Sequence, residues 1–248
     1  MKRIVGQPFT YLGKGFQCYA FESMDKQYVL KFFRHQRLRL PDFVASLPDF
    51  PLVKDYKEQK HAAFQKRMNF LFVGMKTGFQ YAQHETELLY IHLNKTNNLG
   101  QTVAIFDKIG RKFVVDLDQV EFLLQRKAKL IKPTIDALMM NGDEAGAKKR
   151  LDQIFDLFVE CTKKGIHDSD GALIRKDNLG FLEDRAIYID AGKLSMRGRP
   201  QTKEGFIRDL KRLRPLEKWL SLKYPTLAEH FNAKEKEVIG AFQNWLFK

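Results

Sequence analysis

No run of apolar residues in this sequence approaches the roughly 20 that a bilayer-spanning helix requires, so no membrane span is expected. Cysteine is scarce. Cys18 and Cys161 stand far apart without metal-ligand spacing, which argues against a disulfide framework and a thiolate metal centre and predicts two unbonded thiols in a reducing compartment. There is no internal repeat, no low-complexity segment, and no Gly-Lys-Ser/Thr opening a helix as a Walker loop would require. The first residues, Met1-Lys-Arg-Ile-Val-Gly-Gln-Pro, are basic but lack the apolar stretch of a secretory signal, so the expected location is cytoplasmic.

Acidic residues are also in deficit: 30 Asp and Glu face 43 Lys and Arg, a formal charge of +13. A field of that sign attracts anions such as nucleotide phosphates, nucleic acid, acidic membrane or acidic protein. The basic residues cluster at Arg34-His-Gln-Arg37-Leu-Arg39, from Lys193 to Arg199 and from Arg208 to Arg214, which also suits solvated surfaces. What the chain has in plenty is core material: 44% hydrophobic residues, including 21 Phe, in 248 residues. That is enough for one large domain or two lobes. The aromatics fall on core patterns and do not alternate with basic residues, which disfavours nucleic acid as the partner.

Phe9 to Leu12, Cys18 to Ser23 and Gln27 to Phe33 are short apolar runs separated by turn residues, the pattern of an antiparallel meander. Phe64, Met68, Leu71, Phe72, Met75, Phe79 and Ala82 form a helical stripe reaching Glu85, which Gly74 and Gly78 could divide in two. Strand patterns return at Leu88 to Leu93, Thr102 to Phe106 and Phe113 to Leu117. From Glu121 the chain reads as largely helical, with Leu151, Ile154, Phe155, Phe158 and Cys161 on one face of a helix from Glu144 to Lys164 that Gly165 ends. The expected division is residues 1–120, rich in strands, and 121–248, rich in helices.

The most informative stretch is Asn178-Leu-Gly-Phe-Leu, Glu-Asp-Arg, Ala-Ile-Tyr-Ile-Asp190-Ala-Gly192. Two short strands around an acidic turn predict a hairpin that brings Asn178 near Asp190. An amide oxygen beside a carboxylate is a hard-oxygen pair suited to a Mg²⁺ that also carries phosphates. Upstream, Gly13-Lys-Gly15 lies between two strands, where backbone N–H groups can approach phosphate oxygens. The next apolar strand carries Lys31 between large apolar neighbours, a position that calls for an anionic partner.

Together these motifs resemble the protein kinase superfamily. Leu12-Gly-Lys-Gly15-Phe-Gln-Cys-Tyr-Ala20-Phe21 looks like its glycine-rich loop, and Tyr28-Val-Leu-Lys31 like its third-strand lysine. Gly165-Ile-His-Asp-Ser-Asp170 resembles the approach to the catalytic loop, Lys176-Asp-Asn178 its metal-binding asparagine, and Asp190-Ala-Gly192 its metal-binding Asp-Phe-Gly. The order is right, over about residues 9 to 195. The resemblance implies an α+β, two-lobed, kinase-like fold with an antiparallel β-sheet N-lobe and a helical C-lobe. It implies ATP and Mg²⁺ as cofactors, Gly13, Gly15 and Lys31 at the phosphates, Asn178 and Asp190 on the metal, and Asp168 or Asp170 as catalytic base. Glu85, or alternatively Glu58, would pair with Lys31. Departures include Cys18 at the third glycine, no arginine before the catalytic aspartate, Ala191 for Phe, and no Ala-Pro-Glu. These fit a compact, atypical kinase acting on an unidentified protein or small-molecule hydroxyl. They also leave open a catalytically weak or inactive pseudokinase-type binding module, with a basic nucleic-acid-binding protein as the remaining alternative.

Overall fold

The computed structural model describes residues 1–15, 17–34, 51–175, 177–196 and 201–246. The basic cluster at Arg37 and Arg39, residues Arg197 to Arg199, and Lys176 lie outside them. The chain divides into two compact units, 1–76 with 88–127, and 77–87 with 128–248.

The first unit is a seven-stranded sheet. In chain order come α1 (Lys2–Val5), β1 (Phe9–Lys14), β2 (Cys18–Ser23), β3 (Tyr28–Phe33), helix α2 (Pro51–Tyr81, the last residues belonging to the second unit), then, after α3 (Gln83–Thr86), β4 (Leu88–His92), β5 (Thr102–Phe106), β6 (Lys112–Asp116) and β7 (Phe122–Arg126). The spatial order is β4-β7-β3-β2-β1-β5-β6. Beneath one face, Phe9, Phe21, Leu30, Val103, Leu117, Phe122 and Leu124 form the core. Each such side chain contributes about 1.5–3 kcal/mol by burial.

Three expectations need correction. The sheet is not wholly antiparallel, because β1 runs parallel to β5, with Phe9 opposite Ile105. The chain does not turn helical at Glu121: Phe122, Leu123 and Leu124 are all at most 1% exposed and form a strand between β4 and β3, so the sheet unit reaches Lys127. A strand covered on both faces reads as an unbroken apolar run and gives no period-2 signal. Finally, α2 runs unbroken through Gly74 and Gly78 to Tyr81. Each glycine costs a helix about 1 kcal/mol, and burial of Leu71 and Met75 beside them offsets it.

The second unit is mainly helical. It contains α3, β8 (Lys129–Leu130), α4 (Ile131–Met140), α5 (Glu144–Lys163), β9 (Ile166–Asp168), β10 (Leu179–Phe181), β11 (Ala186–Tyr188), β12 (Leu194–Met196), α6 (Lys203–Leu210), α7 (Arg214–Lys223), α8 (Pro225–Gly240) and α9 (Phe242–Leu246). Helix α5 starts at an Asp143 cap, whose carboxylate accepts the Gly146 N–H at 2.8 Å. It buries Leu151, Ile154, Phe155, Phe158 and Cys161 as the spacing predicts, and Gly165 follows with φ +69°. Phe155 meets Phe231 of α8 at 4.8 Å between ring centroids. Neither cysteine is in a disulfide.

Candidate active site

The candidate residues are distributed over both units, and each set has its own geometry. In the helical unit, the hairpin β10–β11 forms as predicted, with Leu179 opposite Tyr188 and Phe181 opposite Ala186. The pairing extends one step further, since the Ile189 N–H donates to the Asn178 carbonyl at 2.8 Å. Asp190 is therefore the residue that leaves the hairpin next to Asn178. A third strand, β8, pairs along β10 and approaches Gly180 so closely that a Cβ there would lie 2.7 Å from the Lys129 carbonyl oxygen. Asp177 enters the hairpin at φ +52°, a left-handed conformation that Asp tolerates better than most residues.

The second pair of strands, β9 and β12, places Asp168 opposite Leu194. It carries both candidate bases to the same place, but in different environments. Asp170 is buried, yet both of its carboxylate oxygens are engaged. Oδ1 accepts from Lys193 Nζ at 2.7 Å and from the Ala172 N–H at 3.1 Å, and Oδ2 from Asn178 Nδ2 at 2.5 Å. Burial pushes its pKa up, but the Lys193 ammonium and the hydrogen bonds outweigh that and hold it below the ordinary carboxylate value. Asp168 is buried with a weaker set of donors. Oδ1 accepts the Asp170 N–H at 2.8 Å, while Oδ2 has no hydrogen-bond partner. Burial, with the charges of Asp170 and Asp190 nearby, pushes it up to about 6, although Arg212 pulls the other way.

Behind β9, Asp209 of α6 ties the layer together. Its two oxygens lie 2.9 Å from His167 Nδ1 and 2.6 Å from Arg212 Nη1. Tyr188, fully buried beneath, is held well above the ordinary phenol range by burial and by these carboxylates.

These contacts bear on metal binding through the oxygens they leave over. Asn178 commits its amide nitrogen to Asp170, which turns its carbonyl oxygen into the remaining donor atom. Asp190 spends Oδ1 on the Gly192 N–H at 2.9 Å and keeps Oδ2. Among the described residues there is no cluster of three or more His, Cys, Asp or Glu able to hold a metal. Two hard oxygens do not make a protein cage. They do fit a Mg²⁺ whose other ligands are phosphate oxygens and water.

In the sheet unit, Gly13 and Gly15 flank the β1–β2 turn. Leu12 forms a bulge in β1, and the Gly15 N–H donates to the Cys18 carbonyl at 2.9 Å. A Cβ on Gly13 would meet nothing within 4 Å, and one on Gly15 only the Cys18 carbonyl at 3.8 Å. The glycines are therefore not needed to avoid this chain's own atoms, and they leave space beside the turn. Arg34 anchors the turn, donating to the Gly15 carbonyl at 2.8 Å and lying over the Tyr19 ring. Lys31 sits in β3 between Ala20 and Leu123, and its Nζ donates to Gln125 Oε1 at 2.6 Å.

Glu85 lies in α3 in the helical unit, where Oε1 receives Lys164 Nζ at 2.6 Å and Oε2 is buried without a donor. The short helix packs on β11, so the acid turns toward the end of α5. Glu58 is exposed on α2. Sequence reasoning missed Lys193 as the ammonium on Asp170. Its signal was position, directly after Asp190-Ala-Gly192 in a chain where β12 must return beside β9. Gln125 was missed because β7 itself was.

No family model matches the chain, and no curated protein matches it. Among solved structures it is similar to a medium-resolution structure of the bifunctional kinase-methyltransferase WbdD, with a TM-score of 0.39 and 15% identity over 89% of this chain. The chain spans 43% of that protein's length.

Proposed function

We propose that this protein is an ATP- and Mg²⁺-dependent phosphotransferase of the kinase-like class, acting on a hydroxyl of a protein or small molecule. The observation that carries the reading is the treatment of Asp170, a buried carboxylate kept ionised by Lys193 and oriented by Asn178, beside a hairpin that delivers Asp190. Two of its three donors, Asn178 and Lys193, bracket the hairpin that carries Asp190, so the stretch that would hold the metal also orients this carboxylate.

In this reading Asp170 is the base that receives the acceptor hydroxyl's proton, and Asp168 positions it by holding its backbone N–H. Its lowered pKa suits a group that orients the hydroxyl and takes the proton late, as phosphoryl transfer with a loose transition state requires. Asn178 and Asp190 would hold Mg²⁺, which when bound neutralises phosphate charge. Lys31 would contact the phosphates, with the missing side chains of Gly13 and Gly15 leaving room for them.

A thermal-shift titration with ATP, with and without Mg²⁺, tests this. The parent's melting temperature should rise, by the equivalent of about 2.7 kcal/mol at 100 times the dissociation constant. Asp190→Asn should lose most of the Mg²⁺-dependent part, and Lys31→Ala both parts. Asp170→Ala should keep the nucleotide response and lose ATP turnover by a factor on the order of 10² or more. A parent that ignores ATP under both conditions sinks the enzyme reading in favour of a binding module.

A further inference from the structure

Strand β6 takes no part in the chemistry above, and its chemistry is that of an unfinished sheet. It lies at one end of the strand order and pairs only with β5 among the described residues. The ladder fixes which of its backbone groups are spent. The Asp107 N–H donates to the Arg111 carbonyl at 3.0 Å, and the Leu117 N–H to the Gln101 carbonyl at 2.9 Å. The register between these two bonds is unbroken, so the odd-numbered residues of β6 aim their N–H and C=O groups at β5. Lys112, Val114 and Asp116 aim theirs outward.

Of the usual protections of an edge, β6 carries only charge, with Lys112 and Asp116 at its two ends and Arg111 over the Phe113 ring. There is no proline and no bulge in β6, and its apolar residues are open to solvent, with Phe113 46% and Val114 64% exposed. Lys112 and Val114 also border a groove of about 410 Å³, lined as well by Val5, Gln7 and Pro8.

We propose that β6 is a self-complementary edge that joins two copies of this chain by antiparallel β6–β6 pairing about a two-fold axis at Val114. Charge selects this occupant and this register. Centred on Val114, the pairing puts Lys112 opposite Asp116 of the second copy and Asp116 opposite its Lys112, with Val114 against Val114 between them. Every outward-facing N–H and C=O then meets a partner, because Lys112, Val114 and Asp116 share one parity. A shift of the centre to Phe113 sets Lys112 against Val114 and separates the charges. On the other face, Phe113 comes beside Val115 of the second copy, extending apolar contact that Val115 already makes with the core. A five-residue edge with its flanking groove is smaller than a permanent interface, so the dimer should be weak, with a dissociation constant on the order of 10 μM.

Sedimentation velocity of the full chain from about 2 to 200 μM tests this, a range that brackets that dissociation constant. The parent should shift from monomer to dimer across the range. Val114→Pro removes one outward N–H and leaves the β5 ladder intact, since proline is tolerated on an edge strand with that group facing solvent. It should stay folded and monomeric throughout. Lys112→Asp sets like charges opposite at both ends and should weaken the dimer several-fold. Val114→Cys in a Cys18→Ser background should form a covalent dimer on mild oxidation, because facing Cα atoms in such a pair lie about 5.5 Å apart, within disulfide reach. A parent monomeric at every concentration overturns the proposal. So does a dimer that survives Val114→Pro, or one in which Val114→Cys does not cross-link.

Discussion

Burial of Asp168 leaves one carboxylate oxygen on the Asp170 N–H and the other without a donor, so the charged form is the unfavourable one in the folded protein. Its folded pKa of about 6 stands above the ordinary 3.8, so between those values the folded state holds a proton that the unfolded state has lost. The group therefore costs nothing below the unfolded pKa, and its cost grows as pH rises, reaching a full value of about 2–3 kcal/mol above pH 6. Asp168→Asn keeps an acceptor for the Asp170 N–H and removes the charge. Urea denaturation should show it more stable than the parent by about 1–2 kcal/mol at pH 8 and by little or nothing at pH 4, and a constant difference would refute the assignment. Nothing in the sequence distinguished Asp168 from Asp170, since the two are separated by one residue. The distinction lies in which of them Lys193 and Asn178 reach, a matter of how β12 and the hairpin return.

Among the elements, the β10–β11 hairpin was the most legible, because its alternation and its acidic turn both lie within a dozen residues. The register that sets Asn178 one step from Asp190 follows from the turn. What could not be read was the third strand, β8, whose two residues, Lys129 and Leu130, carry no pattern of their own. Its backbone nevertheless decides the identity of Gly180. A methyl group there would meet the Lys129 carbonyl oxygen at 2.7 Å and the Ala128 Cβ at 2.8 Å, and backbone cannot swing away as a side chain can. Gly180→Ala should therefore destabilise the protein by about 2 kcal/mol in a urea melt. It should also weaken any Mg²⁺-dependent nucleotide response, since Asn178 is two residues away. In the sheet unit, Asp118 plays a comparable organising part. Its carboxylate accepts the N–H groups of Asn98, Leu99 and Gly100 and the hydroxyl of Thr96, pinning the loop that leads into β5. These bonds hold its pKa below the ordinary value, led by the Thr96 hydroxyl. Their stabilisation is present above the unfolded pKa and fades as pH falls below it. Asp118→Ala should lower the melting temperature at pH 7, and the gap from the parent should narrow toward pH 3.

Over the whole molecule, the sheet-then-helix order was readable because long segments keep one periodicity. The boundary was not, because β7 is an apolar run buried on both faces and interrupts the helical reading after Glu121. The net charge of +13 belongs to this scale too, since no single cluster accounts for it. Among the described residues its ion pairs are both local, as with Lys148 and Glu144 or Lys163 and Glu160 on one helix, and distant in sequence, as with Lys127 and Glu22 or Lys223 and Asp136. They leave the excess of lysine and arginine unneutralised. Such a field repels itself and draws anions without discrimination, and salt screens both effects, the screening length falling from about 30 Å at 0.01 M to about 8 Å at 0.15 M. The melting temperature should therefore rise by a few degrees between those ionic strengths. Binding to duplex DNA should be sequence-independent and fade within the same range, as counterion release predicts for nonspecific contacts. Fluorescence anisotropy with two unrelated labelled duplexes, read from about 20 to 200 mM salt, gives the comparison. If one duplex were preferred and held at the highest salt, the charge would be a recognition surface, and the nucleic-acid reading would displace the phosphotransferase.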